Sequence, residues 1–195
     1  MAFLQSTTNT SLFSGQDEKK PEEDTKIQDI FRELWANEDR NKFIVKDILN
    51  AHREGRECLV LSDRLEHLAI LKTALHDQVS HLFMLKGGMG KKQLKAVMDD
   101  IQNILKNEHR VILATGKFLG EGFDLPYLDT LFLVFPFSWK GTLIQYTGRL
   151  GRAYYGKKEI QVYDYVDEKV SALYRMYGRR LNGYKGIGFV VEEKV

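Results

Sequence analysis

Short apolar segments alternate along this chain with stretches whose apolar residues recur at helical spacing. The segments that read as strands are 58–61, 82–85, 111–114, 130–135 and 160–165. Because strands that are apolar along their whole length are buried on both faces, they are typical of parallel sheets covered by helices. The sequence therefore predicts an α/β fold in three layers, with a mostly parallel sheet between two layers of helices.

The residues before the first of these segments divide into two parts. Residues 1–25 are rich in Ser, Thr and Asn and then in charged side chains, so they bury too little apolar surface to offset the entropy of ordering. We expect a linker or disordered segment there, or a strand torn from a neighbouring unit. Residues 26–55 carry two amphipathic helices that lead into the sheet, and the domain extends over 26–195.

The composition restricts the class of protein. A chain of 195 residues, 43% of them hydrophobic, can bury one sizeable core. Its 29 basic and 27 acidic residues nearly cancel, so any affinity for nucleic acid must come from local clusters of charge. One cysteine cannot build a disulfide framework, and the longest apolar run, 131–137, is too short to cross a bilayer. With no signal-peptide pattern at the start, we expect a cytoplasmic protein without a membrane partner.

The most specific polar pattern is Gln145-Tyr-Thr-Gly-Arg-Leu-Gly-Arg152, at the end of a stretch with helical character. At helical spacing Gln145, Arg149 and Arg152 fall on one stripe, with two glycines beside them. Two guanidinium groups on one stripe suit the oxygens of a polyphosphate, and the glycines allow something to approach the backbone closely. The alternative is a basic helix end that faces only solvent.

A second pattern joins a strand end to one carboxylate. Thr115 and Gly116 follow the segment 111–114, and a glycine-rich loop then leads to Gly122 and Asp124. A carboxylate placed there can accept hydrogen bonds from a ribose hydroxyl. An ordinary turn, in which Asp124 bonds its own backbone, explains the same residues.

Two further basic patterns each have two interpretations. Lys86 and Gly87 begin a glycine-rich turn, which either holds a nucleic-acid phosphate or is an ordinary solvated turn. This turn lacks the spacing of an ATP-binding loop. A run of basic residues near the end of the chain either follows a phosphate backbone or forms a solvated helix face. That run consists of Arg175, Arg179, Arg180 and Lys185.

The histidines and the cysteine do not indicate a metal site. The chain has five histidines and one cysteine, and their spacing fits no metal-ligand pattern, so we predict no bound metal on this chain. His67 stands beside Glu66 in a helical stretch, and we expect it on a solvated helix face.

Three stretches of the chain, taken in order, carry a resemblance to a known family. Ser62-Asp-Arg64, the stretch 115–124 and the stretch 145–152 resemble motifs IV, V and VI of superfamily 2 helicases. From about Arg40 to Tyr177 the chain is similar to the second, C-terminal RecA-like domain of the DEAD/DEAH-box group. Within that group it resembles type III restriction Res-subunit-like helicases most. The resemblance implies a RecA-like sheet of the P-loop NTPase type.

The resemblance also implies roles for individual residues. Arg149 and Arg152 would approach the γ-phosphate of ATP, with Arg152 as the arginine finger. Gln145 would orient the phosphates or the attacking water, and Gly122 and Asp124 would meet the ribose side of the nucleotide. The nucleic-acid backbone would be contacted by Ser62, Arg64, Gly87, Thr115 and Gly116, together with Lys86 of the glycine-rich turn.

The sequence departs from the family in one respect. It contains neither the Gly-x-x-x-x-Gly-Lys-Ser/Thr loop nor the Asp-Glu-x-Asp/His box, which hold the β-phosphate and Mg²⁺. We therefore expect ATP with Mg²⁺ to be bound mainly by a separate first RecA-like domain, and Met1 to begin an excised fragment or a separately encoded half. The full two-domain protein would be an ATP-hydrolysing helicase or translocase, and this chain alone would be inactive.

Two questions about function remain open from the sequence. DNA is the expected partner because of the resemblance to restriction helicases, with RNA as the alternative. A non-catalytic nucleic-acid-binding or regulatory module that retains the same fold is the alternative to the motor function.

Overall fold

The computed structural model describes residues 2–8, 23–105, 107–116, 125–137, 147–148, 150, 157 and 159–194. Within these residues seven strands form one sheet, and five helices pack around it. The strands are β1 (Ala2–Thr8), β2 (Cys58–Leu61), β3 (Leu82–Leu85), β4 (Val111–Ala114), β5 (Thr130–Leu133), β6 (Ile160–Val166) and β7 (Val190–Lys194). The helices are α1 (Glu23–Ala36), α2 (Glu38–Arg53), α3 (Leu65–Leu75), α4 (Lys91–Gln102) and α5 (Ser171–Gly186).

The sheet has the order β3-β4-β2-β5-β6-β1-β7, and each neighbouring pair of strands is parallel. Leu61, at the end of β2, lies opposite Ala114 of β4 and Leu133 of β5. Ala114 in turn lies opposite Leu85 of β3. Four strands therefore end at the same level, and we call this border of the sheet the carboxyl edge.

The two faces of the sheet are covered by different helices. Because successive residues of a strand point to opposite faces, Leu59 and Leu61 of β2 pack in one apolar cluster with residues of α4 and α5. Cys58 and Val60 pack in a second cluster with residues of α2 and α3. All four residues of β2 are buried, which explains why its sequence is apolar without interruption. The predicted three-layer α/β fold is confirmed.

The first two helices pack against the sheet in different ways. In α2 the side chain of Asn37 accepts a hydrogen bond from the Arg40 N–H, and this bond caps the start of the helix. In α1 Leu34 packs with Phe135, just beyond β5, and with Leu173 of α5. The helix α1 therefore covers part of the carboxyl edge.

The strands β1 and β7 lie in parts of the chain where we predicted no strand of this domain. Over residues 1–25 we expected a linker, a disordered segment or a strand torn from a neighbour, and the structure has a strand over Ala2–Thr8. It pairs with β6 on one side and β7 on the other, with Ala2 opposite Ile160 and Phe3 opposite Val190. Among the described helices, none has both the length and the apolar character of a membrane-spanning segment.

Candidate nucleic-acid interface

Three residues predicted to contact nucleic acid follow neighbouring strands at the carboxyl edge. The Ser62 N–H donates to the Ala114 carbonyl (3.2 Å), and the Thr115 N–H donates to the Leu85 carbonyl (3.2 Å), so each residue continues the ladder by one step. Lys86 comes directly after β3. Since adjacent strands lie about 4.8 Å apart, the structure brings Lys86, Thr115 and Ser62 together in a row.

Ser62 is fully buried, and its hydroxyl group is bound within the protein. The Ser62 Oγ accepts a hydrogen bond from the Arg64 N–H (3.2 Å) and lies 3.2 Å from Nδ1 of His67. The His67 Nε2 is 3.0 Å from the side-chain oxygen of Asn41. Because an amide oxygen only accepts, Nε2 donates to Asn41 and Nδ1 accepts from the Ser62 hydroxyl. This chain of bonds fixes the turn between β2 and α3.

The prediction that His67 lies on a solvated helix face is wrong. Its side chain is 0% exposed, and burial, together with the nearby Arg40 cation, lowers the pKa of His67 to about 3. The imidazole is therefore neutral near pH 7, as its two hydrogen bonds require. Residue spacing around Glu66 did not reveal this, because the partners Ser62 and Asn41 come from two other elements.

Arg64 is held by the helix α1. Its Nη2 donates to Oε1 of Gln28 (2.7 Å), and its guanidinium carbon lies 5.9 Å from the ring centre of Phe31 and 5.5 Å from that of Phe135. Its Nε is buried and has no hydrogen-bond partner among the described residues. The guanidinium group thus lies at the boundary between α1 and the carboxyl edge.

The turn that begins at Lys86 is open. Lys86, Gly87 and Gly88 are exposed, and a Cβ atom added at either glycine would meet nothing within 4 Å. Gly88 has a φ of +83°, in the left-handed region that favours glycine. The turn therefore offers free space beside its backbone at Gly87 and Gly88.

Thr115 contributes a hydroxyl group to the floor of this edge. The residue is 9% exposed, and its Oγ1 has no hydrogen-bond partner among the described residues. A buried hydroxyl without a partner costs about 1–3 kcal/mol, so a ligand that reached this atom at the strand end would remove that cost. Gly116, the next residue, is half-buried.

The candidate nucleotide-binding residues lie outside the described residues. These are Gln145, Arg149, Arg152, Gly122 and Asp124. Three residues near the arginines are described: Thr147 and Leu150 are buried, whereas Gly148 is exposed. A Cβ atom added at Gly148 would meet nothing within 4 Å, so that side of the segment is open.

Arg40 is a buried charged residue near the carboxyl edge, and no role for it was predicted from the sequence. Its Nη1 donates to the Val134 carbonyl (2.8 Å), its Nε lies 3.5 Å from Asp167 Oδ1, and its guanidinium lies 5.8 Å from the Tyr165 ring centre. Burial raises the pKa of Asp167, and the Arg40 cation partly offsets that shift. The distance in sequence between Arg40 and Asp167 explains why no local pattern revealed the pair.

Within the described part of the chain, no group of three or more His, Cys, Asp and Glu side chains is arranged to hold a metal ion.

Two sequence comparisons bear on the family. The family model described as "Helicase conserved C-terminal domain" matches residues 39–154. The chain is also similar to transcript termination protein A18 of fowlpox virus (strain NVSL), with 29% identity over 96 residues, or 48% of this chain. The chain spans only 20% of the length of that relative.

Solved structures show the same fold. T4 UvsW matches with a TM-score of 0.72 and 16% identity, over 99% of this chain and 41% of that protein. Domain 2 of the DEAD-box helicase Mss116p, bound to an RNA duplex, matches with a TM-score of 0.60 and 13% identity, over 98% of this chain and 63% of the other. The C-terminal domain of the DEAD-box protein Dbp5 matches with a TM-score of 0.58 and 15% identity, over 80% of this chain and 83% of the other. The predicted RecA-like fold of a helicase C-terminal domain is thereby confirmed.

Proposed function

This chain belongs to the family of helicase conserved C-terminal domains, and we propose that it is the C-terminal motor half of an ATP-dependent helicase or translocase. In that role it binds the nucleic-acid backbone and presents arginine side chains to ATP held mainly by a separate first RecA-like domain. We propose DNA as the substrate, because the motifs resemble those of type III restriction Res-subunit-like helicases most; RNA is the alternative. We place the protein in the cytoplasm.

The row of strand ends at the carboxyl edge is the observation that carries this proposal. Lys86 places an exposed cation at the rim, and Thr115 places an unpartnered hydroxyl at the floor, on adjacent strands. Phosphate oxygens accept hydrogen bonds from both groups, and such contacts position a strand without reading its bases. A backbone-binding edge of this kind suits a motor that moves along any sequence.

Ser62 supports the same edge from inside the protein. Its hydroxyl group is bound to His67 and to the Arg64 N–H, so it holds the turn that carries Arg64. We propose that Ser62 acts on the nucleic acid through this turn, whereas Arg64, Gly87 and Gly116 contribute to the contact surface itself.

The nucleotide side of the proposal rests on Arg149, Arg152 and Gln145. When bound, ATP with Mg²⁺ supplies the phosphoryl group whose hydrolysis drives the motor. Continuing the helical spacing of the buried Thr147 and Leu150 predicts that positions 145, 149 and 152 share the opposite side, next to the exposed Gly148. Arginine side chains on an open face can reach a nucleotide held by another domain, and they would stabilise the charge that develops on the phosphate.

Gly122 and Asp124 would contact the ribose. This part of the proposal comes from the resemblance of the stretch 115–124 to motif V, since a carboxylate accepts hydrogen bonds from ribose hydroxyl groups. The chain alone would hydrolyse ATP negligibly, because its 195 residues contain no phosphate-binding loop sequence. A steady-state ATPase assay of the purified chain that gave turnover typical of helicases would contradict this.

The test of the nucleic-acid edge is the salt dependence of binding. Lys86→Gln should weaken binding of a labelled single strand and reduce the steepness of the log affinity against log salt plot by about 0.7 for the one lost phosphate contact. Lys72→Gln is the matched control, since Lys72 is an exposed lysine on α3, away from this edge. If both variants bind like the wild type at every salt concentration, the proposed edge is wrong. Comparison of DNA with RNA strands identifies the substrate.

A further inference from the structure

The exposed face of α5 carries a basic stripe with one aromatic ring. Tyr174 is 50% exposed, and Arg175, Arg179 and Lys185 are exposed as well. At about 100° per residue these four positions fall within roughly 140° of one another around the helix. We call this set the α5 stripe.

The opposite side of α5 is buried, and one basic residue of the helix lies on it. Leu173, Tyr177 and Tyr184 are buried on that side. Arg180 is buried there too, and it forms two hydrogen bonds with Asp164, so its charge is neutralised inside the domain. Of the four basic residues in the run predicted from the sequence, three therefore remain on the surface.

The charge of the α5 stripe is not balanced on the helix itself. The sequence Ser171–Gly186 contains no Asp or Glu. Among the described residues, Arg175, Arg179 and Lys185 form no ion pair, whereas other exposed cations do, such as Lys42 with Asp39. A row of unpaired cations attracts a polyanion whose charges are also in a row.

The spacing of the cations fits a phosphate backbone. With a rise of about 1.5 Å per residue, Arg175 and Arg179 are about 6 Å apart along the axis, and Lys185 lies about 9 Å further on. The stripe thus extends over about 15 Å, which is several times the axial distance of about 3.4 Å between neighbouring phosphates in one strand of a duplex. Three cations along that length can each contact a different phosphate.

Gly178 is the second observation that indicates a ligand. Glycine is unfavourable in a helix interior compared with alanine, so its presence one turn after Tyr174 needs a reason. A Cβ atom added at Gly178 would meet nothing within 4 Å, so packing within the described chain does not require a glycine. The missing side chain leaves open space at Gly178, one turn after the half-exposed Tyr174, where a base or sugar has room to lie.

We propose that the α5 stripe is a second contact surface for single-stranded nucleic acid, with phosphates on Arg175, Arg179 and Lys185 and a base stacked on Tyr174. The proposal rests on the proposed function for the class of partner, but it uses none of the residues of the carboxyl edge. Since β6 ends at that edge and α5 begins at Ser171, the Tyr174 end of the stripe is the one nearer to it. A strand that leaves the carboxyl edge would continue along α5.

The charge component is tested by binding of a fluorescein-labelled oligothymidylate of about 20 nucleotides to the purified chain, measured by fluorescence anisotropy across a salt series. The triple variant R175Q/R179Q/K185Q should reduce the steepness of the log affinity against log salt plot by about two. The matched control is K46Q/R53Q/K72Q, which removes the same charge from exposed residues of α2 and α3, on the other side of the sheet. Equal effects of the two triple variants would overturn the proposal.

The stacking component is tested with two single variants. Tyr174→Leu should lower affinity for the oligothymidylate about fivefold or more and leave the salt dependence unchanged. Gly178→Ala should raise the Tm by about 2–4 °C, because alanine favours the helix and its methyl group would enter open space. The same variant should bind the oligothymidylate more weakly. A Gly178→Ala variant that is more stable and binds with wild-type affinity would contradict a ligand beside Gly178.

The outcomes separate this inference from the proposed function. If the α5 variants bind normally while Lys86→Gln changes the salt dependence, the inference fails and the carboxyl edge stands. If the α5 variants lose binding while Lys86→Gln does not, the inference stands and the proposed edge fails.

Discussion

Arg180 and Asp164 form a two-pronged ion pair inside the domain, with Arg180 Nε 2.7 Å from Oδ2 and Nη2 2.8 Å from Oδ1 of Asp164. The Tyr184 hydroxyl donates to the same carboxylate (3.1 Å), and Arg180 Nη1 also donates to the Phe137 carbonyl (3.3 Å). Both charged side chains are almost completely buried. The pair therefore links α5 to β6 and to the residues beyond β5.

Breaking this pair should strongly destabilise the protein. Arg180→Ala leaves the Asp164 carboxylate buried without its cation, and we expect the free energy of unfolding to fall by about 3–5 kcal/mol. The adjacent Arg179 is exposed, and Arg179→Ala should change the free energy of unfolding by no more than about 0.5 kcal/mol. Urea denaturation of the two variants measures both values. Similar losses in both variants would mean that the Arg180 pair contributes little.

Because of His67, the free energy of unfolding should decrease as the pH is lowered. Its folded-state pKa of about 3 lies below the ordinary value of 6.5, so the unfolded state binds more protons between those two values. The contribution is complete above pH 6.5 and is lost as the pH falls, at about 1.4 kcal/mol per pH unit inside that window.

The variant His67→Gln isolates this contribution, since glutamine does not titrate and can both donate to Asn41 and accept from Ser62. The free energies of unfolding of wild type and variant should converge as the pH falls from about 7 to about 5. Parallel pH dependences would show that His67 does not titrate as described.

Thr115 should contribute to binding and not to folding. Thr115→Val removes a buried hydroxyl without a partner among the described residues and keeps the shape of the side chain. We expect the free energy of unfolding to stay the same or rise by up to about 1 kcal/mol, while affinity for nucleic acid falls by a similar free energy. Calorimetry and anisotropy on the same preparation measure the two effects. A destabilised variant with wild-type affinity would show that the hydroxyl group serves the fold.

Arg152 should matter more for turnover than for ATP affinity. In the full two-domain protein, Arg152→Ala should reduce kcat about a thousandfold, or roughly 4 kcal/mol of transition-state stabilisation. ATP binding should fall much less if, as we propose, a separate first domain holds most of the nucleotide. Single-turnover hydrolysis and equilibrium nucleotide binding separate the two quantities. Equal losses in both would indicate a structural arginine.

The sequence predicted the central strands because their environment is uniform. Cys58–Leu61 and Val111–Ala114 are buried on both faces, so each is an unbroken apolar run whose limits are visible in the sequence. β1 has the mixed sequence AFLQSTT, and its place is set by backbone pairing with distant strands. No local pattern encodes that pairing, so the strand was missed as part of this sheet.

In the candidate site, the positions of residues at the strand ends were predictable from the sequence, but their side-chain contacts were not. The order of the motifs and the parallel sheet were enough to place Ser62, Lys86 and Thr115 at one edge. The hydrogen bonds that bury Ser62 and His67 depend on Asn41, which comes from a helix well before them in the chain. The capture of Arg64 by Gln28 and two phenylalanine rings likewise requires the packing of α1, which periodicity does not specify.

The position of β1 has a consequence for how the molecule is made. It is the earliest of the described strands to leave the ribosome, yet its neighbours β6 and β7 are the last two. The entropic cost of closing a loop must be met before such distant segments gain contacts, so this part of the sheet should assemble after the rest has formed. Until β1 is in place, β7 has no strand among those described to pair with, so the last pairing in the sheet depends on the first of the described strands.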